Sequence, residues 1–130
     1  MDTLKIQTRS RTQFCDITAD VQAAVSALGV QDGVVTVFVP HTTAGVTINE
    51  NADPDVTADM ELVLDRVVPW TGGYAHGEGN TAAHVKASMM GASAQVIVHD
   101  GRLALGTWQA IYFCEFDGPR SRKVWVSAGR

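Results

Sequence analysis

Four histidines are the side chains of this sequence best suited to proton transfer or metal binding near neutral pH. His41 follows Pro40 at the end of an apolar run, where a predicted strand gives way to a loop, a common position for functional side chains. Because neutral imidazole binds divalent metal ions, one hypothesis is a site for zinc or magnesium built by His41, His76 and His84. His99 precedes an Asp-Gly pair and is interpreted as an exposed turn residue.

A Gly-rich segment leads into the helix that is predicted to carry His84. Asn80, His84 and Ser88 are spaced four apart, so they share one face of this helix. A helix start offers free N–H groups and a positive dipole end, so Asn80 and these groups can hold a phosphate while His84 acts one turn further in. The alternative is a flexible loop in which Asn80 is a helix cap and His84 packs beside Ala87.

A dense polar run follows another predicted strand and contains Asn49, Glu50 and Asp53. Asn and Asp are preferred helix caps, so the run is interpreted both as a cap and as a candidate binding group, and the two interpretations are compatible. Glu50 lies near His41 only if residues 42–45 form a crossing and not a tight turn. The sequence leaves this question open.

Two further groups lie nearer the end of the chain. Gly106 interrupts a strand pattern just before Trp108 and Gln109, which indicates either a close backbone approach beside a site or a kinked strand with a core Trp. Arg120, Arg122 and Lys123 crowd the last turn and strand. They are interpreted as a solvated hairpin end or as an anion-binding edge.

The composition excludes several classes of protein. A net charge of -4 and an estimated pI of 5.4 do not suit a general nucleic-acid binder, which needs clustered basic charge. No apolar run approaches the roughly 20 residues of a membrane span, and the N-terminus lacks an apolar signal region, so we expect a cytoplasmic protein. Cys15 and Cys114 are expected to be free thiols. The sequence contains no nucleophile elbow, P-loop or dinucleotide-binding glycine motif.

The helices and strands that must position these residues are predicted from the periodicity of the apolar residues and from the residues that begin or end each element. Residues 34–39 are apolar on both faces, which predicts a strand covered by a helix layer on one side and by another sheet or subunit on the other. Thr18 is predicted to cap a first helix, and Asp53 with Pro54 to begin a second that Pro69 ends. The order predicts a single α+β domain over residues 1–130, a layered sandwich of mostly antiparallel strands with segregated helices. The other predicted strands span residues 4–8, 13–17, 45–49, 94–98, 102–105 running into 108–116, and 122–126, and a third helix spans 81–90.

Three separated motifs resemble the YjbQ family. They are residues 41–54 (HTTAGVTINENADP), residues 76–88 with HGEGN, AH and KAS, and the closing segments GRL, GTWQ and CEF within residues 101–116. The resemblance spans nearly the whole chain. It implies a homotrimer of α+β sandwich subunits with a pocket formed by His41, Asn49, Glu50, Asp53, Asn80, His84, Arg102 and Gln109, with His76 on a neighbouring loop.

Some members of that family are described as secondary thiamine-phosphate synthases. The resemblance therefore implies an enzyme that joins a pyrimidine methyl pyrophosphate to a thiazole phosphate and releases pyrophosphate. Arg102, the helix start at Asn80 and a metal ion would stabilise the leaving group, and Glu50 the developing pyrimidine cation. The catalytic candidates are His41, Glu50, His84 and Arg102, and the substrate-binding candidates are Asn49, Asp53, Asn80, Ser88 and Gln109. The alternatives are a non-enzymatic metal- or anion-binding protein and a metal-assisted phosphoester hydrolase.

Overall fold

The computed structural model describes residues 1–129, which form eight strands and three helices. No helix in this part of the chain is long and apolar enough to cross a membrane. In chain order the elements are β1 (Asp2–Gln7), β2 (Gln13–Asp16), α1 (Thr18–Leu28), β3 (Gly33–Phe38), β4 (Ala44–Glu50), α2 (Pro54–Val67), α3 (Thr81–Met90), β5 (Ser93–His99), β6 (Arg102–Leu103), β7 (Gln109–Glu115) and β8 (Ser121–Ala128).

The strands form two antiparallel sheets. The large sheet has five strands in the order β1-β8-β3-β5-β6, and the small sheet has three in the order β2-β7-β4. Consecutive strands β3 and β4 therefore belong to different sheets, so the segment between them is a crossing and not a hairpin turn. This answers the question that the sequence left open, and it carries His41 across the junction of the two sheets.

The main core fills the space between the two sheets. Alternate residues of each strand point inward, such as Val35 and Val37 of β3 and Ile111 and Phe113 of β7, all of them fully buried. Helix α1 packs on the same face of the large sheet. A second apolar cluster lies on the other side of the small sheet, beneath α2 and α3. The layers are thus large sheet, small sheet and helices, which confirms the predicted α+β sandwich.

The outer face of the large sheet is uncovered within the chain. The inward residues of β3 are buried as predicted, but Val34 and Phe38 on its outward face are 42% and 39% exposed. Phe38 stacks on Trp125 of β8 with ring centroids 5.9 Å apart, and Ile97 of β5, which pairs with Val34, is 62% exposed. The sequence predicts that both faces of β3 are covered, but no other element of the described chain covers the outer face.

The predicted cap of α1 is wrong. The helix begins at Thr18 itself, and no side chain caps it. The Thr18 hydroxyl instead donates to Asp16 Oδ1 at 2.6 Å and accepts from the Ile111 N–H at 2.9 Å. These bonds use the hydroxyl to tie the helix start to the small sheet, so a tertiary contact replaces the local one.

The predicted long strand after the Asp-Gly turn is divided. Strand β6 ends at Leu103, and β7 begins at Gln109 in the other sheet. Between them, Gln109 donates its N–H to Gly106 O at 3.0 Å, and its side-chain Oε1 accepts from the Gly106 N–H at 2.8 Å. Trp108 at this turn is 62% exposed, so the interpretation of it as a core residue is also wrong.

Gly45 lets helix α3 lie directly against strand β4. A Cβ atom at this position would be 2.8 Å from Gly91 O, 3.0 Å from Met90 Cβ and 3.1 Å from Ala87 O. The neighbouring Val46 N–H donates to the same Gly91 oxygen at 3.0 Å. This close approach fixes the position of α3, and with it His84, relative to the crossing that carries His41.

We expect Gly45→Ala to lower the free energy of unfolding by about 1–3 kcal/mol, because the added methyl group overpacks against backbone atoms that cannot move away. Urea unfolding followed by far-UV circular dichroism measures the change. Gly77→Ala is the matched control, since a Cβ there meets nothing within 4 Å. Equal losses in the two variants would contradict the close packing of α3 on β4.

Candidate functional site

A cleft of about 580 Å³ opens where the chain crosses from β3 to β4. Three segments supply most of its lining, and Ala92 completes it. The crossing contributes residues 38–43, the end of the Gly-rich loop and the first turn of α3 contribute Glu78, Asn80 and His84, and the β7–β8 turn contributes Asp117, Arg120 and Arg122. The cleft therefore brings together three of the sequence-predicted site residues, His41, Asn80 and His84, from segments that are distant in sequence.

A buried ion pair forms the floor of this site. Arg122 is 6% exposed and Glu115 is fully buried. Arg122 Nε donates to Glu115 Oε1 at 2.8 Å, and Nη2 donates both to Glu115 Oε2 and to Thr43 Oγ1, the latter at 2.8 Å. Glu115 also accepts from the Thr8 hydroxyl at 2.8 Å and from the Asp117 N–H at 3.0 Å. The guanidinium is thus held in one orientation, the arrangement that makes Arg a directional ligand for anions.

The third nitrogen of Arg122 is available to a ligand. Within residues 1–129, Nη1 has no hydrogen-bond partner, whereas Nε and Nη2 are fully used. Because Arg122 lines the cleft, this free N–H group is an anchor for an acceptor that enters there. Arg120 on the same turn is half exposed and pairs with Asp117, its Nη2 lying 3.1 Å from Asp117 Oδ2.

His41 has a defined tautomer in its neutral form. Its Nε2 accepts the Lys123 backbone N–H at 2.9 Å, so the ring proton of the neutral form is assigned to Nδ1. Burial and the nearby positive charge of Arg122 lower the pKa of His41 below its ordinary value, which favours this neutral form. His41 is therefore suited to donate a hydrogen bond through Nδ1, while protonation of Nε2 would break the bond from Lys123.

The three histidines do not converge on one point. The rings of His76 and His84 meet edge to face with centroids 5.5 Å apart, and His41 shares the cleft with His84. Among residues 1–129, metal-ligand atoms of three such side chains lie within 4.8 Å of one another only at Asp32, His99 and Asp100, which are exposed. His41, His76 and His84 are therefore a poor fit to a shared ion in this arrangement, since Nε2 of His41 is already occupied.

Asn80 has a different role from the cap that the sequence offered as an alternative. It is 5% exposed and makes no side-chain cap bond to α3. Its Nδ2 donates to Glu78 Oε2 and to Asp117 Oδ2, both at 2.9 Å. Its Oδ1 is buried without a partner. Asn80 therefore joins two carboxylates at the edge of the cleft instead of closing the helix end.

Ser88 is exposed and faces a smaller neighbouring cleft of about 500 Å³ that His41 and His84 also line. Its hydroxyl donates to His84 O at 3.0 Å, an ordinary bond between successive turns of a helix. The predicted shared face of Asn80, His84 and Ser88 is thus present, but the three residues do not line a single cavity.

Glu50 and Asn49 lie at the far end of β4. His41 is three residues before the start of this strand and Glu50 is its last residue, so the seven-residue strand separates them by about 20 Å at roughly 3.3 Å per residue. Gln109 pairs with Glu50 in the small sheet, so it lies at the same distant end. Within one chain, these three side chains cannot contact a ligand held in the cleft.

Arg102 and Asp53 are also placed elsewhere. Arg102 lines a separate cleft of about 620 Å³ together with Asp16 and Gln22. Asp53 caps α2 as predicted, since its carboxylate accepts the Asp55 N–H at 2.9 Å. The structure therefore divides the predicted site residues into a group at the cleft and a group at the opposite end of the small sheet.

Sequence reasoning placed Arg122 in a solvated hairpin end or an anion-binding edge, but it missed that Arg122 is buried and paired with Glu115. A signal was present in the strand periodicity. Arg122 is in phase with the inward-facing Val124 and Val126, and Glu115 is in phase with Ile111 and Phe113. A charged residue at a core position of a strand requires a buried partner of opposite charge, so each of the two strands implies such a pair.

We expect Glu115→Gln to lower the free energy of unfolding at pH 7 by about 3–5 kcal/mol, because the buried Arg122 loses its counter-ion. Burial alone raises the pKa of Glu115, but hydrogen bonds from Arg122, Asp117 and Thr8 outweigh it and hold the pKa below its ordinary value of 4.5. The carboxylate thus stabilises the fold above about pH 4.5, and this contribution is lost as the pH falls through the lowered pKa.

Urea unfolding between pH 7 and pH 3 measures both effects. The variant should lack the part of the acid sensitivity that Glu115 supplies. Glu61→Gln is the control, since Glu61 forms no ion pair within residues 1–129. An unchanged pH profile in Glu115→Gln would contradict the assignment.

Comparison with known proteins places the chain in one family. The profile described as UPF0047 protein YjbQ-like matches residues 2–129. UPF0047 protein YugU of Bacillus subtilis is 54% identical over 127 residues, which cover 97% of this chain and 96% of that protein. UPF0047 protein MJ1081 of Methanocaldococcus jannaschii is 48% identical over 122 residues, which cover 94% of this chain and 88% of that protein.

Solved structures agree with this assignment. A crystal structure of an uncharacterised YjbQ/UPF0047 protein from Clostridium acetobutylicum superposes with a TM-score of 0.97 at 56% identity, and covers 99% of this chain and 100% of that one. The conserved hypothetical protein TT1486 from Thermus thermophilus superposes with a TM-score of 0.93 at 40% identity, with the same coverage of 99% and 100%. The family resemblance seen in the sequence motifs is confirmed, and the chain belongs to the YjbQ-like UPF0047 family.

Proposed function

We propose that the cleft binds the phosphate or diphosphate group of a small phosphorylated molecule. The observation that carries this proposal is the orientation of the buried Arg122. Glu115 and Thr43 hold its guanidinium group in place, and its Nη1 remains free to donate to a ligand in the cleft. His41 adds a neutral Nδ1–H donor beside it. Donors that are oriented before the ligand arrives bind an anion without the cost of rearranging, and a charged donor strengthens each hydrogen bond.

The reaction we propose for this site is the one implied by the family resemblance, formation of thiamine phosphate. The C–O bond of the pyrimidine methyl pyrophosphate breaks, and the thiazole nitrogen forms a new C–N bond to that carbon. Pyrophosphate leaves with the bonding electrons, so it needs positive charge and hydrogen-bond donors around it. Arg122 and Arg120 suit that role here, in place of Arg102, and His84, which lines the same cleft, is the residue we propose as proton donor to the leaving oxygen.

Binding without turnover is the second candidate. One observation favours it: Nε2 of His41 is occupied by the Lys123 N–H, so this ring nitrogen is not free to take a proton. A metal-assisted phosphoester hydrolase has less support, because His41, His76 and His84 do not converge on one ion. Release of inorganic phosphate from simple phosphoesters, lost in His84→Ala, would identify the hydrolase.

We expect the protein to form thiamine phosphate from the two substrates in the presence of a divalent metal, and Arg122→Lys to reduce both this rate and pyrophosphate affinity by about tenfold. Lys keeps the charge but lacks the planar fork that Glu115 and Thr43 hold. Mass spectrometry of the product and calorimetric titration with pyrophosphate measure the two quantities.

Arg102→Lys is the control, since Arg102 lines a separate cleft. Pyrophosphate binding without product would favour the non-enzymatic candidate. Binding that depends on Arg102 and not on Arg122 would contradict the choice of cleft.

We further propose that the chain assembles as a homotrimer. The uncovered apolar face of the large sheet, with Val34, Phe38, Ile97 and Trp125, supports assembly because exposed patches of this kind mark protein interfaces. Phe38 also lines the cleft, so a neighbouring copy on this face would lie beside the site. Glu50, at the far end of β4, can then take part only as a residue of a neighbouring copy.

We expect light scattering at micromolar concentration to give about three times the monomer mass, and Ile97→Lys to shift the protein toward lower mass because it places a charge on the apolar sheet face. Val85→Lys is the matched control, as Val85 is 40% exposed but lies on the helical layer. A monomer mass for the unmodified protein would contradict the trimer.

A further inference from the structure

The cleft has a second wall that offers hydrogen-bond acceptors. Asn80 Nδ2 binds one oxygen of Glu78 and one oxygen of Asp117. The other carboxylate oxygens, Glu78 Oε1 and Asp117 Oδ1, have no hydrogen-bond donor within residues 1–129. Both residues line the same cleft as Arg122 and His41. The lining of one cleft therefore presents N–H donors from Arg122 and His41 and free carboxylate oxygens from Glu78 and Asp117.

Asn80 supplies an independent sign that a donor is missing from this corner. Only 5% of Asn80 is exposed, and its Oδ1 has no hydrogen-bond partner. The hydroxyl oxygen of the next residue, Thr81, is also buried and unpartnered. A buried acceptor without a donor costs about 1–3 kcal/mol, and such groups in native proteins normally meet water or a ligand.

The orientation of the Asn80 amide is fixed by its neighbours. Exchanging its nitrogen and oxygen would place Oδ1 against the Glu78 and Asp117 carboxylates, which have no proton to donate when ionised. The unpartnered atom is therefore an acceptor and needs an N–H or O–H group from outside the described chain.

The charges of this wall favour a singly charged or neutral N–H group. Glu78 and Asp117 contribute two negative charges, and the Arg120 guanidinium on Asp117 offsets one of them. The start of α3, where Asn80 lies, adds a positive partial charge equivalent to about half an elementary charge. The remaining negative potential suits an ammonium or amine and is too weak to favour a divalent cation.

We infer that the ligand of this cleft is a phosphorylated molecule that also carries an amine or ammonium group. The phosphate binds at Arg122 and His41, and the amine donates to the acceptor wall formed by Glu78, Asn80 and Asp117. This inference rests on the proposed phosphate binding, because the same cleft must hold both groups at once. A phosphate ester without a donor leaves the acceptor wall unsatisfied.

A matched pair of ligands tests the inference. O-Phosphoethanolamine and n-propyl phosphate share the phosphate ester and chain length and differ in an ammonium group against a methyl group. Titration of the ¹⁵N-labelled full chain at pH 7, followed by backbone amide shifts, gives both dissociation constants. We expect phosphoethanolamine to bind about tenfold more tightly, the difference that one charge-assisted hydrogen bond supplies.

Variants locate the source of this preference. Glu78→Gln is the first variant, since Glu78 is exposed and its replacement does not threaten the fold. We expect the affinity ratio to fall toward one in this variant and in Asp117→Asn. Glu61 lies on α2 and lines a different cleft, so Glu61→Gln should keep the ratio.

The outcomes separate this inference from the proposed function. Equal affinity for the two esters, with binding weakened by Arg122→Lys, would overturn the amine inference and leave phosphate binding intact. Absence of binding for both esters would overturn both. A preference that persists in Glu78→Gln and Asp117→Asn would show that the acceptor wall is not its source, and would also overturn the inference.

Discussion

Glu115 and Arg122 face each other across the turn that links the small sheet to the large one. Neither charge can remain buried alone, because an unpaired ion in a protein interior is strongly unfavourable. Their pairing therefore fixes how β7 and β8 leave the two sheets. Thr8 from the β1–β2 segment and Thr43 from the crossing also bond to the pair. Four segments of the chain thus meet at a single ionic contact, and the cleft is the opening beside it.

The position of helix α3 is the second constraint. It carries Asn80 and His84 to the cleft, and it can do so only because Gly45 has no side chain where α3 meets β4. The buried ion pair orients the donor Arg122, and its Glu115 also accepts the Asp117 N–H. The acceptor wall then joins Asp117 of the β7–β8 turn to Asn80 at the start of α3, so it depends on both constraints.

Chain topology explains why the predicted site residues fall into two groups. Motif residues 41–54 are contiguous in sequence, but strand β4 occupies most of that run and separates its two ends by its own length. Because a strand is extended, residues at its two ends are far apart even when they belong to one short motif. The crossing between the sheets, by contrast, brings His41 close to Arg122, which is 81 positions away in the sequence. Glu50, Gln109 and Arg102 belong to the other end of the sandwich for the same reason.

Much of the local structure was predictable from the sequence. Alternation of apolar residues predicted most strands, Asp53 with Pro54 predicted the start of α2, and the Asp100-Gly101 pair predicted the turn before β6. These succeeded because each depends on the conformational preferences of a few neighbouring residues. The motifs also identified the family. The prediction that Thr18 caps α1 failed because its hydroxyl bonds to Ile111, which is distant in sequence. The prediction that Trp108 is a core residue failed because Trp108 lies in a turn and not in a strand.

By itself, the sequence determined which segments are strands and helices, which face of each is apolar, and that His41, Asn80 and His84 are candidates for chemistry. Only the tertiary structure decided which sheet each strand joins, which partner satisfies each buried charge, and which of the candidates share a cleft. The physical reason is that periodicity reports whether a side chain is buried but not what it touches. Strand pairing and the Glu115–Arg122 contact depend on the whole chain closing around one core.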